Sequence, residues 1–206
     1  TRFFSFLFPA GSQKWRWLVL IFGVWFLPVP RLPVNLRVSF TNGLVSFSFE
    51  VLALFLFQKT FGFLYLAMSF LVGLFMAGLG VGGFFSGRKP KRREDLFWAE
   101  TGQILFYVLA TGVLLLPRSV PIVFFGILLA GSGFLLGWEF GLLATYGMDR
   151  NPGGIGLVYG ADLVGALAAS VLTPLFLLPV LSFSGCLGLF PCLKIATFLL
   201  LWHQLS

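Results

Sequence analysis

Four carboxylates, Glu50, Glu100, Glu139 and Asp162, fall inside long apolar stretches with no Lys or Arg within a helical turn. An ionised carboxylate at the centre of a bilayer costs about 2.5–3.5 kcal/mol on insertion scales, so such acids face a protein interior and mark cation or proton routes or structural locks. Each has polar company on its own helical face. Glu100 shares a face with Gln103 and Tyr107, Asp162 with Tyr159 and Ser170, Glu139 with Ser132, and Glu50 with Ser46 and Gln58. We therefore expect Glu50, Gln58, Glu100, Gln103, Tyr107, Glu139, Tyr159 and Asp162 to be buried polar groups of the bundle. Covalent catalysis finds little here. His203 is the only histidine, so nucleophile–base arrangements of the Ser/His or Cys/His kind are not expected. Cys186 and Cys192 carry neither a haem-attachment spacing nor enough companions for a zinc site. No metal, no cofactor and no enzymatic activity are expected of this chain alone.

The elements that must position these acids follow from composition. Apolar residues make up 58% of the 206 and charged residues only 10%, against about 25% charged in a soluble domain. Backbone polar groups in lipid need partners within their own segment, so the expected class is an all-α integral membrane bundle. Six firm spans are expected: Val38–Gln58, Phe61–Ser86, Leu96–Leu116, Val120–Tyr146, Ile155–Leu181 and Leu187–Trp202. A seventh run, Trp15–Leu27, is short of the roughly 20 residues needed to span and is expected to be a tilted or partial helix. Residues 1–37 are thus expected to be an interfacial or partial segment, and 38–206 the bundle. Five of the 14 basic residues cluster as Arg88, Lys89, Lys91, Arg92 and Arg93. Between two spans this is a cytoplasmic loop rather than a nucleic-acid patch.

Glycine spacing supplies the packing. Gly78 and Gly82, Gly133, Gly137 and Gly141, and Gly156 and Gly160 recur four apart, with Gly165 beyond. Such GxxxG patterns let backbones approach closely. The short connection Met148–Gly154 makes its flanking helices neighbours. Glu139 and Asp162 then sit roughly 12–15 Å from that turn at matching depth, with Gly137 and Gly141 facing Gly160 and Gly165.

The runs Thr41-Asn42-Gly43-Leu44-Val45, Ser48-Phe49-Glu50, Phe75-Met76-Ala77-Gly78-Leu79-Gly80-Val81-Gly82, Gly137-Trp138-Glu139-Phe140 and Tyr159-Gly160-Ala161-Asp162 resemble the membrane portion of bacterial spermidine synthase-like proteins. The resemblance spans roughly residues 38–190 and implies a multi-helix unit of the inner membrane, often fused to a cytosolic aminopropyltransferase-like domain. That domain and its substrate-binding residues are not in this sequence. The expected function is a non-catalytic membrane subunit that anchors or scaffolds a larger complex, with lipid and other subunits as partners. The alternatives are a cation or polyamine transporter using the buried acids, and the membrane arm of an aminopropyltransferase whose catalytic part lies elsewhere.

Overall fold

The computed structural model describes residues 33–62, 65–87, 93–115, 121–150 and 154–205. The run Trp15–Leu27 and the basic residues Arg88, Lys89, Lys91 and Arg92 lie outside them. Among the described residues the elements are all helical: α1 Val34–Phe61, α2 Tyr65–Gly87, α3 Arg93–Leu114, α4 Ile122–Arg150, α5 Gly154–Leu172, a π turn Thr173–Leu177, and α6 Leu178–Leu205. Helix ends fall where the sequence stops supporting them. Gly62 takes a positive φ of 84° after α1, and its N–H donates to the Gln58 carbonyl at 2.9 Å. A left-handed glycine of this kind ends a helix without a Cβ clash.

Five helical stretches are long and apolar enough to cross a membrane, the last running from Gly154 to His203. This differs from the expected six spans and a seventh. The segments expected at Ile155–Leu181 and Leu187–Trp202 are not separated by a loop. Pro174 and Pro179 lack a backbone N–H, and the helix absorbs them by widening into the π turn rather than stopping. One residue leaves helical geometry, Ser182, at φ 64° and ψ 171°.

That residue reverses the chain. Asp162 packs against Gly43, while Lys194 bonds Asn42, the residue next to it. A straight helix would separate Asp162 from Lys194 by about 48 Å. Contacts on either side agree. Ser39 and Ser48 of α1 meet Val158 and Thr173 in that order, so α1 and α5 run parallel. Phe97 of α3 stacks near Trp202, Tyr107 near Phe190, and Thr111 bonds Leu187, so α3 and the later part of α6 run antiparallel.

Two seams of direct backbone contact hold the bundle. A Cβ on Gly78 or Gly82 would overlap the carbonyl oxygens of Ala130 and Phe134, and one on Gly133 or Gly137 those of Phe75 and Leu79. These glycines join α2 to α4, in parallel. Gly43 and Gly165 do the same between α1 and α5, against Asp162 and Phe40. Gly141 packs on Ser86 of α2. Gly156 and Gly160, expected in a seam, face open space. The expected meeting of Gly137 and Gly141 with Gly160 and Gly165 does not occur: Gly137 and Gly141 pack on α2, Gly165 packs on α1, and Gly160 meets nothing.

The half of the core toward the C-terminal end of α1 is aromatic. Phe49 stacks edge-on with Phe106, Tyr107 and Phe190, and Phe57 with Phe125. The outside carries Leu66, 87% exposed, with Phe70, Val123, Leu167 and Leu199. Exposed apolar side chains in this density suit contact with lipid tails.

Candidate functional site

Four helices converge on one ammonium group. Lys194, on α6, lies 2.9 Å from Glu100 Oε2 on α3 and 3.5 Å from Glu139 Oε2 on α4, and all three side chains are fully buried. Its Nζ also donates to Asn42 Oδ1 on α1. Helix geometry brings them level. Asn42 comes eight residues after Val34 and Glu100 seven after Arg93, about 10–12 Å up their helices from the same end of the bundle. Thr197, one turn beyond Lys194, donates to the Lys194 carbonyl at 2.9 Å and is itself buried.

A second polar layer lies one to two turns further along α3. Gln103 Nε2 donates to the Leu135 carbonyl at 3.3 Å. The Tyr107 hydroxyl is 3.0 Å from Ser46 Oγ, and both residues are buried. Phe49, Tyr107 and Phe190 cover the cluster from this side.

The electrostatic balance is unequal. One ammonium faces two carboxylates directly, and a further acid, Asp162 on α5, packs against Gly43, the residue next to Asn42. Glu100 Oε1, Glu139 Oε1 and Asp162 Oδ1 are buried without a hydrogen-bond partner. Such groups are costly unless something completes them. Chemically the arrangement offers cation-binding oxygens and a tethered cation. No group of three or more His, Cys, Asp or Glu among the described residues is placed to hold a metal ion.

The other expected site residues are placed differently. Glu50 is buried, with Oε2 unpartnered, but it lies two helical turns beyond Asn42 on α1, about 12 Å from the cluster. Gln58 is only half-buried near the far end of α1, its Nε2 3.0 Å from Met68 Sδ. Asp162 is half-buried rather than enclosed; a Cβ on Gly43 would stand 3.0 Å from its Oδ1. Tyr159 corrects the expectation of burial: it is 52% exposed and stacks edge-on with Phe140. It sits next to Val158, which faces α1, and the helical rotation of about 100° per residue turns Tyr159 outward.

Two members of the cluster were not among the expected site residues, Asn42 and Lys194. Lys194 carried a signal, as the one basic residue in the run Leu187–Trp202. Asn42 carried none, because a lone amide in a helix is as readily a local hydrogen-bonding residue. No family model, curated protein or solved structure matches the chain.

Proposed function

We propose that this chain is a non-catalytic, multi-pass subunit of the bacterial inner membrane that anchors or scaffolds a larger membrane assembly. The observation that carries the reading is the Lys194 cluster, which spends its charges on joining α1, α3, α4 and α6. With the glycine seams it makes a tied core, while the outside offers large apolar side chains to lipid or to companion helices. The chain would cross six times, the Gly154–His203 stretch crossing twice around Ser182. The end bearing Arg37, Arg88–Arg93 and Arg150 would be cytoplasmic by the bias of Lys and Arg. Purification from native membranes in mild detergent tests the role. Stoichiometric co-purification of other membrane proteins is expected, and a monodisperse single chain would overturn it.

A second reading, movement of a cation, is favoured by the excess of carboxylates over Lys194. Under it, Glu139→Gln with Asp162→Asn abolishes uptake into vesicles while the fold persists; unchanged uptake would sink it. The membrane arm of an aminopropyltransferase rests on the family resemblance, and the coding sequence upstream of Thr1 would test it.

A further inference from the structure

The two glycine seams are copies of one another. Shifting α1 numbers forward by 94 turns Ser39, Phe40, Gly43 and Leu44 into Gly133, Phe134, Gly137 and Trp138 of α4. Shifting α5 numbers back by 83 turns Val158, Asp162 and Gly165 into Phe75, Leu79 and Gly82 of α2. Three close contacts then map onto one another. Ser39 bonds the Val158 carbonyl as Gly133 meets that of Phe75. Gly43 meets the Asp162 carbonyl as Gly137 meets that of Leu79. Gly165 meets Phe40 O and Leu44 N as Gly82 meets Phe134 O and Trp138 N. The third helices, α3 and the arm of α6 after Ser182, pair antiparallel with each other, as a twofold relation requires. Units α1–α2–α3 and α4–α5–α6 are therefore an inverted pair. In membrane proteins built this way, ion sites gather where the repeats meet.

The Lys194 cluster lies at that junction. Asn42 of α1 and Glu139 of α4 both bond Lys194, and the same shift carries this pair to Leu136 and Val45, one turn away on the same two helices. Glu100 and Lys194 belong to the two third helices. Glu100 Oε2 and Glu139 Oε2 lie 2.9 and 3.5 Å from the one Lys194 Nζ, which brings the two carboxyl groups together around it, yet an ionised carboxylate only accepts hydrogen bonds. Both Oε1 atoms are buried and unpartnered. With both acids ionised, the pair and Lys194 sum to one uncompensated negative charge. The other groups facing them supply no balance: Asn42 on α1 and Tyr107 on α3 are neutral, and Asp162 on α5 adds a further acid. Among the described residues no group of three or more His, Cys, Asp or Glu is placed to hold a metal ion.

We propose that Glu100 and Glu139 bind one proton between them, opposite Lys194, at the pseudo-twofold junction of the two inverted units. The proton makes one carboxyl the donor and the other the acceptor, and brings the three side chains to neutrality. The inference holds for a scaffold or a transporter alike, and its test reads the site alone.

Infrared difference spectroscopy of the protein in lipid vesicles should show a protonated-carboxyl C=O band that shifts in heavy water and is lost in both Glu100→Gln and Glu139→Gln. Circular dichroism checks that each variant folds. If neither does, Lys194→Met carries the test: without the ammonium the second carboxyl takes a proton, and the band should grow about twofold. Absence of the band, its survival in both Gln variants, its failure to grow in Lys194→Met, or its loss on titration with sodium or potassium would overturn the proposal.

Discussion

Among the described residues Lys194 is the basic side chain that lies wholly inside the bundle, and its worth depends on its partners. A buried ion pair gains little over an apolar pair of similar shape, but removing one member leaves the other uncompensated. Lys194→Met is therefore expected to lower stability by about 3–5 kcal/mol, measured as a drop in unfolding temperature in detergent. Glu100→Gln alone should cost less, because Glu139 remains to face the ammonium. The double change Glu100→Gln with Glu139→Gln should cost at least as much as Lys194→Met, since it strands the charge. A double variant as stable as the wild type would show that the Lys194 ammonium is satisfied by Asn42 alone.

At the scale of elements, the seams and the reversal make separate demands on the backbone. Gly43 and Gly137 occupy equivalent places against carbonyl oxygens of partner helices, so Gly43→Leu and Gly137→Leu should both disrupt folding. Gly160→Leu, where nothing stands near the added side chain, should leave it intact. Yield and monodispersity after gel filtration check this, and equal damage at all three positions would contradict the seam assignment. Ser182 holds a conformation that costs a side-chain-bearing residue about 1–3 kcal/mol. Ser182→Gly should accordingly stabilise the protein by about 1 kcal/mol, and Ser182→Val should weaken it. Thermal unfolding of the two variants gives the sign.

For the whole molecule, the proposed six crossings, with the last stretch turning back at Ser182, predict which ends share a side of the membrane. Single cysteines at Thr60 and Ser184, in a chain with Cys186 and Cys192 replaced by Ala, are expected to react with an impermeant thiol reagent from one side of sealed vesicles. Cysteines at Gly87 and His203 should react from the other. Labelling of Ser184 and His203 from the same side would mean that the last stretch does not cross twice.

Much of this protein is legible without coordinates. Apolar runs too long for a soluble core dictate helices, because lipid offers backbone groups no other partner. Glu100 and Glu139, isolated in such runs, announce an interior, and glycines four apart at Gly78–Gly82 and Gly133–Gly137 announce close packing. What spacing along one helix cannot convey is the partner across the gap. Gly156 and Gly160 have the same spacing and face nothing, and Tyr159 shares a nominal face with Asp162 yet turns outward. A helix has two or three neighbours, and only the packed bundle decides which face meets which. The union of Lys194 with Asn42, 152 residues away, depends on a reversal at a single serine. Ser182 has no propensity signal of its own, and it is the tertiary contacts of α3 with α6 that hold it there.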